Sequence, residues 1–327
     1  MKSVEKETYL GNILSNDAKI DSNIINRQNR GNGYVNQIVS ILLEISFGSF
    51  YFNMAMLFRM TQLINGMLCS SESLYGIRQC HIDMLESCDK MLFKSMFQSP
   101  CTTPTVAYYL ETGAIQIRYL LQGRRIMFLW DLLHKSEDEL AKKVYDAQNQ
   151  FKVKDDWVCE VEKDLSDFGI DFDEEKITNM KHYTFKKLVY DKMRELSHSK
   201  LLEEKDGKKM SKLSGFSSHY GLKDYLTSEK MNLDEKRLLF QLRTRMIQVR
   251  CNYKSKYGDN LDCTLCQTKS EETQEHLLVC PGLSDVPKNP SIKYQDIFGS
   301  LDKQIEAIKH RAKLISLQKI KLKEIDI

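Results

Sequence analysis

Cys263, Cys266, His276 and Cys280 follow one another with the spacing C-x2-C-x9-H-x3-C. Three thiols and one imidazole are donors that close a tetrahedron around zinc, and four protein ligands leave no position open for water or substrate. The chemistry expected is therefore structural: one Zn2+ that folds the chain around itself and catalyses nothing. A tight turn brings the two thiols of the C-x-x-C pair together, and a His and a Cys four residues apart share one face of a helix. Asp259, Asn260 and Asp262 suit the turn ahead of the first pair. Glu271, Glu272 and Glu275 suit the first turn of a short helix carrying His276, and Pro281 with Gly282 suits its end. The spacing departs from that of the two-histidine finger, so the base-reading geometry of that finger is not inferred.

The elements leading into this cluster are basic. The formal net charge of +3 conceals a segregation: residues 131–180 hold 15 acidic and 7 basic side chains, residues 181–256 hold 19 basic and 9 acidic. A cationic stretch beside a metal module is the footprint of a phosphate-binding surface, although a charge run is more often a solvated helix face. Lys236, Arg243 and Arg250 recur every seven residues and are expected as one basic stripe on a helix, with Leu239, Leu242, Met246 and Val249 as its apolar side.

Nine cysteines, six of them scattered at 69, 80, 88, 101, 159 and 251, make no disulfide framework and imply a reducing compartment. The first ten residues have no apolar core of signal-peptide length, so an intracellular protein of nucleus or cytoplasm is expected. The apolar stretch 38–68, from Ile38 to Leu68, is interrupted by Glu44 and Arg59, and the 14 uncharged residues between them are too few to span a membrane. It reads as buried helix. A hydrolase is a third possibility with little support, since no G-x-S-x-G, H-E-x-x-H or Walker loop is present.

Elsewhere the pattern is mainly helical. Residues 9–14 have the look of a strand turned by Ser15-Asn16-Asp17. Gly31-Asn32-Gly33 precedes a helical pattern that Gly48 would break. Ser136-Glu137-Asp138-Glu139 reads as a capping box opening a helix with Leu140, Val144 and Ala147 inward, and Trp157, Val161, Leu165 and Phe168 as a core stripe. His198 has no partner at ligand spacing and is assigned to a loop. Residues 203–218 are the linker candidate, and Ile305, Ile308, Ala312 and Ile315 mark an amphipathic basic tail helix.

Cys263-Thr-Leu-Cys266 followed by Glu271-Glu-Thr-Gln-Glu-His276-Leu-Leu-Val-Cys280-Pro281 resembles the zinc knuckle at the C-terminal end of non-LTR (LINE-like) retrotransposon reverse transcriptases. Leu242-Arg-Thr-Arg-Met246 fits the same context. Tyr108-Tyr-Leu-Glu-Thr-Gly113 and residues 118–133, with Arg124-Arg125, resemble segments beyond the polymerase core. Tyr9-Leu10-Gly11 is similar to the hairpin near the primer grip. The resemblance implies a mainly α chain: an end-of-palm hairpin at 1–20, a helical thumb-like domain at 21–135, a helical linker region, acidic then basic, at 136–232, a basic helix with the CCHC knuckle at 233–290, and a basic helical tail at 291–327.

The polymerase's metal-holding carboxylates are missing. The one Asp-Asp pair, Asp155-Asp156, lies beside a helical stripe and not in an aromatic-x-Asp-Asp turn. The resemblance therefore implies a fragment or remnant without activity of its own, the upstream part being lost or in another frame. It implies RNA as the partner, with DNA or an RNA–DNA hybrid as further candidates and no membrane. Lys236, Arg243, Arg250, Lys254 and Lys256 are expected on phosphates and Tyr253 or Tyr257 on unpaired bases, the tyrosines having an equal claim to core or rim positions. The rival expectation is a helical protein-interaction module stapled by the zinc, self-associating through the Ile38–Leu68 region.

Overall fold

The computed structural model describes residues 6–9, 12–15, 20–45, 50–154, 156–207, 220–266 and 268–325. The fold is mainly helical. Helix α1 is Asp21–Glu44, and α2, Tyr51–Phe58, passes through a π turn, Arg59–Ile64, into α3, Asn65–Met67. There follow α4 (Gln79–Phe97), α5 (Thr105–Thr112), α6 (Ile117–Leu133), α7 (Leu140–Phe151), α8 (Trp157–Asp167), α9 (Glu174–Asn179) and α10 (His182–Gly207). Helices α11 (Asp224–Thr227), α12 (Leu233–Arg243), α13 (Lys254–Tyr257) and α14 (Leu301–Ile325) complete the series. A four-residue ladder pairs Lys6–Tyr9 with Asn12–Ser15, Tyr9 opposite Asn12. Residues 10–11 between the strands, and Asn16 and Asp17 of the expected turn, lie outside the described residues. Among the described residues no third strand joins this pair, and an isolated two-stranded ladder is marginally stable at best.

The chain forms two compact units from interleaved stretches: Met1–Ile41, Met56–Leu92 and Ala114–Glu203 in one, Leu42–Ala55, Phe93–Gly113 and Glu204–Ile327 in the other. In the first unit α1 runs straight through Gly31 and Gly33. A Cβ on Gly31 would lie 2.8 Å from the Cys88 sulfur, so this glycine serves close helix packing and not a turn. Arg27, buried, donates to the carbonyls of Met67, Cys69 and Ser70, satisfying acceptors that the end of α3 leaves open. Arg59 in the π turn pairs with buried Asp89, Nε to Oδ1 at 2.9 Å, and Arg125 on α6 pairs with Asp164 on α8 at 2.7 Å.

Trp157, Val161, Leu165 and Phe168 are buried, as their periodicity requires. Asp156 accepts from the Cys159 N–H and caps α8, a helix start and not a metal-holding turn; Asp155 lies outside the described residues. His198, expected in a loop, is within α10. Residues 203–207 of the linker candidate are the last turn of α10, and Gly48 and residues 208–218 of that candidate lie outside the described residues.

In the second unit Phe52, Phe93, Phe97, Tyr108 and Phe240 form a buried aromatic cluster, Phe97 and Phe240 stacked at 3.9 Å between centroids. Helix α5 closes at Gly113 with φ 65°, where a Cβ would fall 2.4 Å from the Gly221 backbone. Asn232 and Glu235 form a capping box at the start of α12. In the stretch 38–68, which is divided between the two units, Ile38, Leu42, Phe52, Ala55, Leu63, Ile64 and Met67 are buried, and Ile41, Leu43, Phe50 and Leu57 are exposed. Among the described residues no helix is long and apolar enough to cross a membrane.

Candidate metal centre and the adjoining groove

The cluster is built in the second unit by two turns held against each other. Asp262 and Glu271 form an isolated antiparallel bridge, Cys263 N–H donates to the Ser270 carbonyl at 2.9 Å, and Glu272 N–H to that of Leu261 at 2.8 Å. This fixes the C-x-x-C turn. The ligand side of the second turn is a single 3-10 turn, His276–Leu278, and not the short α-helix expected; Cys280 then caps a second 3-10 turn, Pro281–Leu283. Pro281 and Gly282 therefore open an element instead of ending one. Gly282 is demanded by proximity, since a Cβ there would stand 2.0 Å from the Leu265 carbonyl oxygen on the opposite turn.

The four donor atoms all lie within 4.8 Å of one another and could hold a metal ion. The Cys263 and Cys280 sulfurs are 3.7 Å apart, and the Cys266 sulfur is 3.4 Å from His276 Nε2. A tetrahedral ion bound at about 2.3 Å from sulfur and about 2.0 Å from nitrogen gives edges of roughly 3.8 and 3.5 Å, so both separations fit.

Burial pushes the Cys263 thiol up to about 12 and raises that of Cys280, with backbone N–H groups of Leu265 and Gly282 pulling the other way. Burial also raises Cys266, but the Thr268 hydroxyl and N–H outweigh it and hold that thiol low. Each cysteine thus has a backbone donor two residues downstream, placed to stabilise a thiolate. Burial keeps His276 low and therefore neutral, the form that ligates.

Helix α14 is fastened to this centre. Lys321 Nζ donates to the Gly282 carbonyl at 2.8 Å and Gln318 Nε2 to Glu272 Oε1 at 2.8 Å. Between the helix and the turns lies a groove of about 860 Å3 whose lining includes Arg250, Lys256, Lys319, Lys323, Tyr253 and Tyr257. Among the described residues its one carboxylate is Glu272, which is buried, so that its pKa is raised, and which faces Arg250 at 3.7 Å.

The expected nucleic-acid set divides here. Lys236 and Arg243 are 0 % and 3 % exposed, so neither offers a cation to a surface ligand. Helix α12 ends at Arg243, and Arg250 begins a separate 3-10 turn, Arg250–Asn252, so the three do not form one stripe. The reason is packing: the face that carries Leu239 and Leu242 also takes Lys236 and Arg243 into the core.

Arg250, Lys256, Tyr253 and Tyr257 do meet at the groove; the Lys254 side chain lies outside the described residues. The Tyr257 ring lies beneath both Arg250 and Lys256, at 5.2 and 5.0 Å, and Tyr253 spends its hydroxyl on the Met246 carbonyl. Lys319 and Lys323 were missed. Their i, i+4 spacing on a basic helix was the available signal, but nothing local says which face meets the metal centre.

Comparison with protein-family models, with curated proteins and with solved structures finds no match for this chain.

Proposed function

We propose that the chain binds nucleic acid along the groove beside the metal centre, and that single-stranded RNA is its first ligand. The carrying observation is the convergence of Arg250, Lys256, Lys319 and Lys323 on one groove in which, among the described residues, Glu272 is the one carboxylate and faces Arg250. Four cations spaced along a groove suit a phosphate backbone, and Tyr257 supplies a ring for a base once Arg250 or Lys256 turns to a phosphate. The ion is zinc: three thiols with one imidazole at tetrahedral separations suit it, and with four protein ligands its role is to hold the two turns. This reading agrees with the resemblance to the C-terminal part of a non-LTR reverse transcriptase, acting here as a binding module without polymerase carboxylates.

The test is fluorescence anisotropy with a labelled single-stranded RNA over a salt series, on the wild type and on Lys256→Ala/Lys319→Ala/Lys323→Ala. Three lost phosphate contacts should lower the slope of log affinity against log salt by about 2. An unchanged slope would remove the groove from the site.

A second reading, a helical interaction module stapled by the metal, is favoured by one observation, the outward apolar face of α7.

A further inference from the structure

Helix α7 is turned inside out relative to its sequence. Leu140 is 78 % exposed, Val144 48 % and Phe151 72 %, with Ala147 exposed between them. The buried side carries Lys142 and Tyr145, and polar bonds hold it there: Tyr145 donates to Glu174 at 2.6 Å and Asn149 to the same carboxylate oxygen at 2.9 Å. An apolar stripe at steps of 4, 3 and 4 residues is the seam of a two-helix coiled coil, and on this unit it faces outward.

The charges at its two ends say what would cover it. Glu137, Asp138 and Glu139 precede the stripe, Lys152 and Lys154 follow it, and all five are exposed. A second α7 laid antiparallel puts Leu140 against Phe151 of the other copy, Val144 against Ala147, and the acidic end of each helix against the basic end of the other. A parallel pair would set like charges together at both ends.

We propose that α7 is a self-association surface whose partner is a second copy of this chain, in an antiparallel two-fold helix pair. The contact is isologous, so it closes as a dimer and leaves no stripe for further growth. The ion pairs at the ends, Lys135–Glu139, Lys143–Asp138 and Lys152–Glu162, lie at the surface, with Lys135 and Glu162 half-buried, and exchange for contacts across the interface. A helix of 12 residues is about 18 Å long, and such a seam covers less than the roughly 800 Å2 per partner of a stable complex, so the dimer is weak and reversible.

Sedimentation equilibrium of the full chain over a concentration series tests this. The wild type should show a monomer–dimer equilibrium, and Leu140→Ser/Phe151→Ser, which removes only exposed apolar surface, should raise its dissociation constant at least about tenfold. Glu137→Lys/Asp138→Lys should also weaken it, and adding Lys152→Glu/Lys154→Glu to the same chain should restore it, which only the antiparallel arrangement predicts. RNA affinity of the stripe variant should be unchanged, separating this surface from the groove. A wild type that stays monomeric throughout, whether or not it binds lipid vesicles, would overturn the proposal, as would a dimer indifferent to the stripe.

Discussion

Arg243 donates to a single oxygen of Glu111, Nε at 3.0 Å and Nη2 at 2.8 Å, and almost nothing of either side chain reaches solvent. The same guanidinium donates to the Ile297 carbonyl and lies over the rings of Phe298 and Tyr225. This ties α12 to α5 and to the 3-10 turn Tyr294–Phe298 within the second unit. Removing one partner strands a buried charge. Arg243→Ala and Glu111→Ala are each expected to cost about 3–5 kcal/mol in urea unfolding, and replacing both by apolar residues of similar size to recover much of it. An Arg243→Ala chain as stable as the wild type that loses only RNA affinity would return this residue to the ligand surface.

The metal centre should titrate in a definite direction. Burial holds the Cys263 and Cys280 thiols protonated at neutral pH, whereas an ion binds their thiolates, so binding releases protons and affinity falls as pH falls. Competition with a chromophoric chelator should show one zinc per chain, held about tenfold or more weakly for each unit of pH lowered through the neutral range. Cys263→Ser/Cys266→Ser should bind none. A wild type without zinc, or with a pH-independent affinity, would exclude thiolate ligation.

Gly282 gives a sharper test of the turn geometry than the ligands do. Gly282→Ala leaves all four donors intact but drives a methyl group into the Leu265 carbonyl, which must move and carry the C-x-x-C turn with it. Zinc affinity is expected to fall at least about tenfold, with a loss of stability of about 1–3 kcal/mol typical of overpacking. Wild-type affinity in this variant would mean that the two turns are not apposed as described.

In the first unit, burial pushes the Glu86 carboxyl from 4.5 up to about 7, with Asp89 adding to the shift and Arg118 opposing it. The folded chain therefore keeps a proton that the unfolded chain has lost between those values. Stability falls as pH rises from about 4.5 through about 7, and the loss is complete above that. Glu86→Gln should be more stable than the wild type by about 1–3 kcal/mol near pH 8 and no more stable near pH 4. Equal effects at the two pH values would contradict the shift.

What could be read from the sequence was whatever rests on local spacing. The C-x2-C-x9-H-x3-C cluster could be found because its four donors lie within eighteen residues of sequence and their spacing suits one ion. The core stripe of α8 was legible because period alone places Trp157, Val161, Leu165 and Phe168 on one side. Tertiary structure decided the questions that period leaves open, above all which side of a helix faces the core. In α12 the Glu111 carboxylate holds Arg243 inward, and Lys236 is buried on the same helix. In α7 the Glu174 carboxylate fixed Tyr145 and Asn149 and sent the apolar stripe out. Gly31 and Gly282 look like turn residues in sequence and prove to be points of close approach, because the atoms they must clear come from elsewhere in the chain. The groove joins Arg250 and Lys256 to Lys319 and Lys323 across more than sixty residues, and only packing of α14 on the metal centre brings them together.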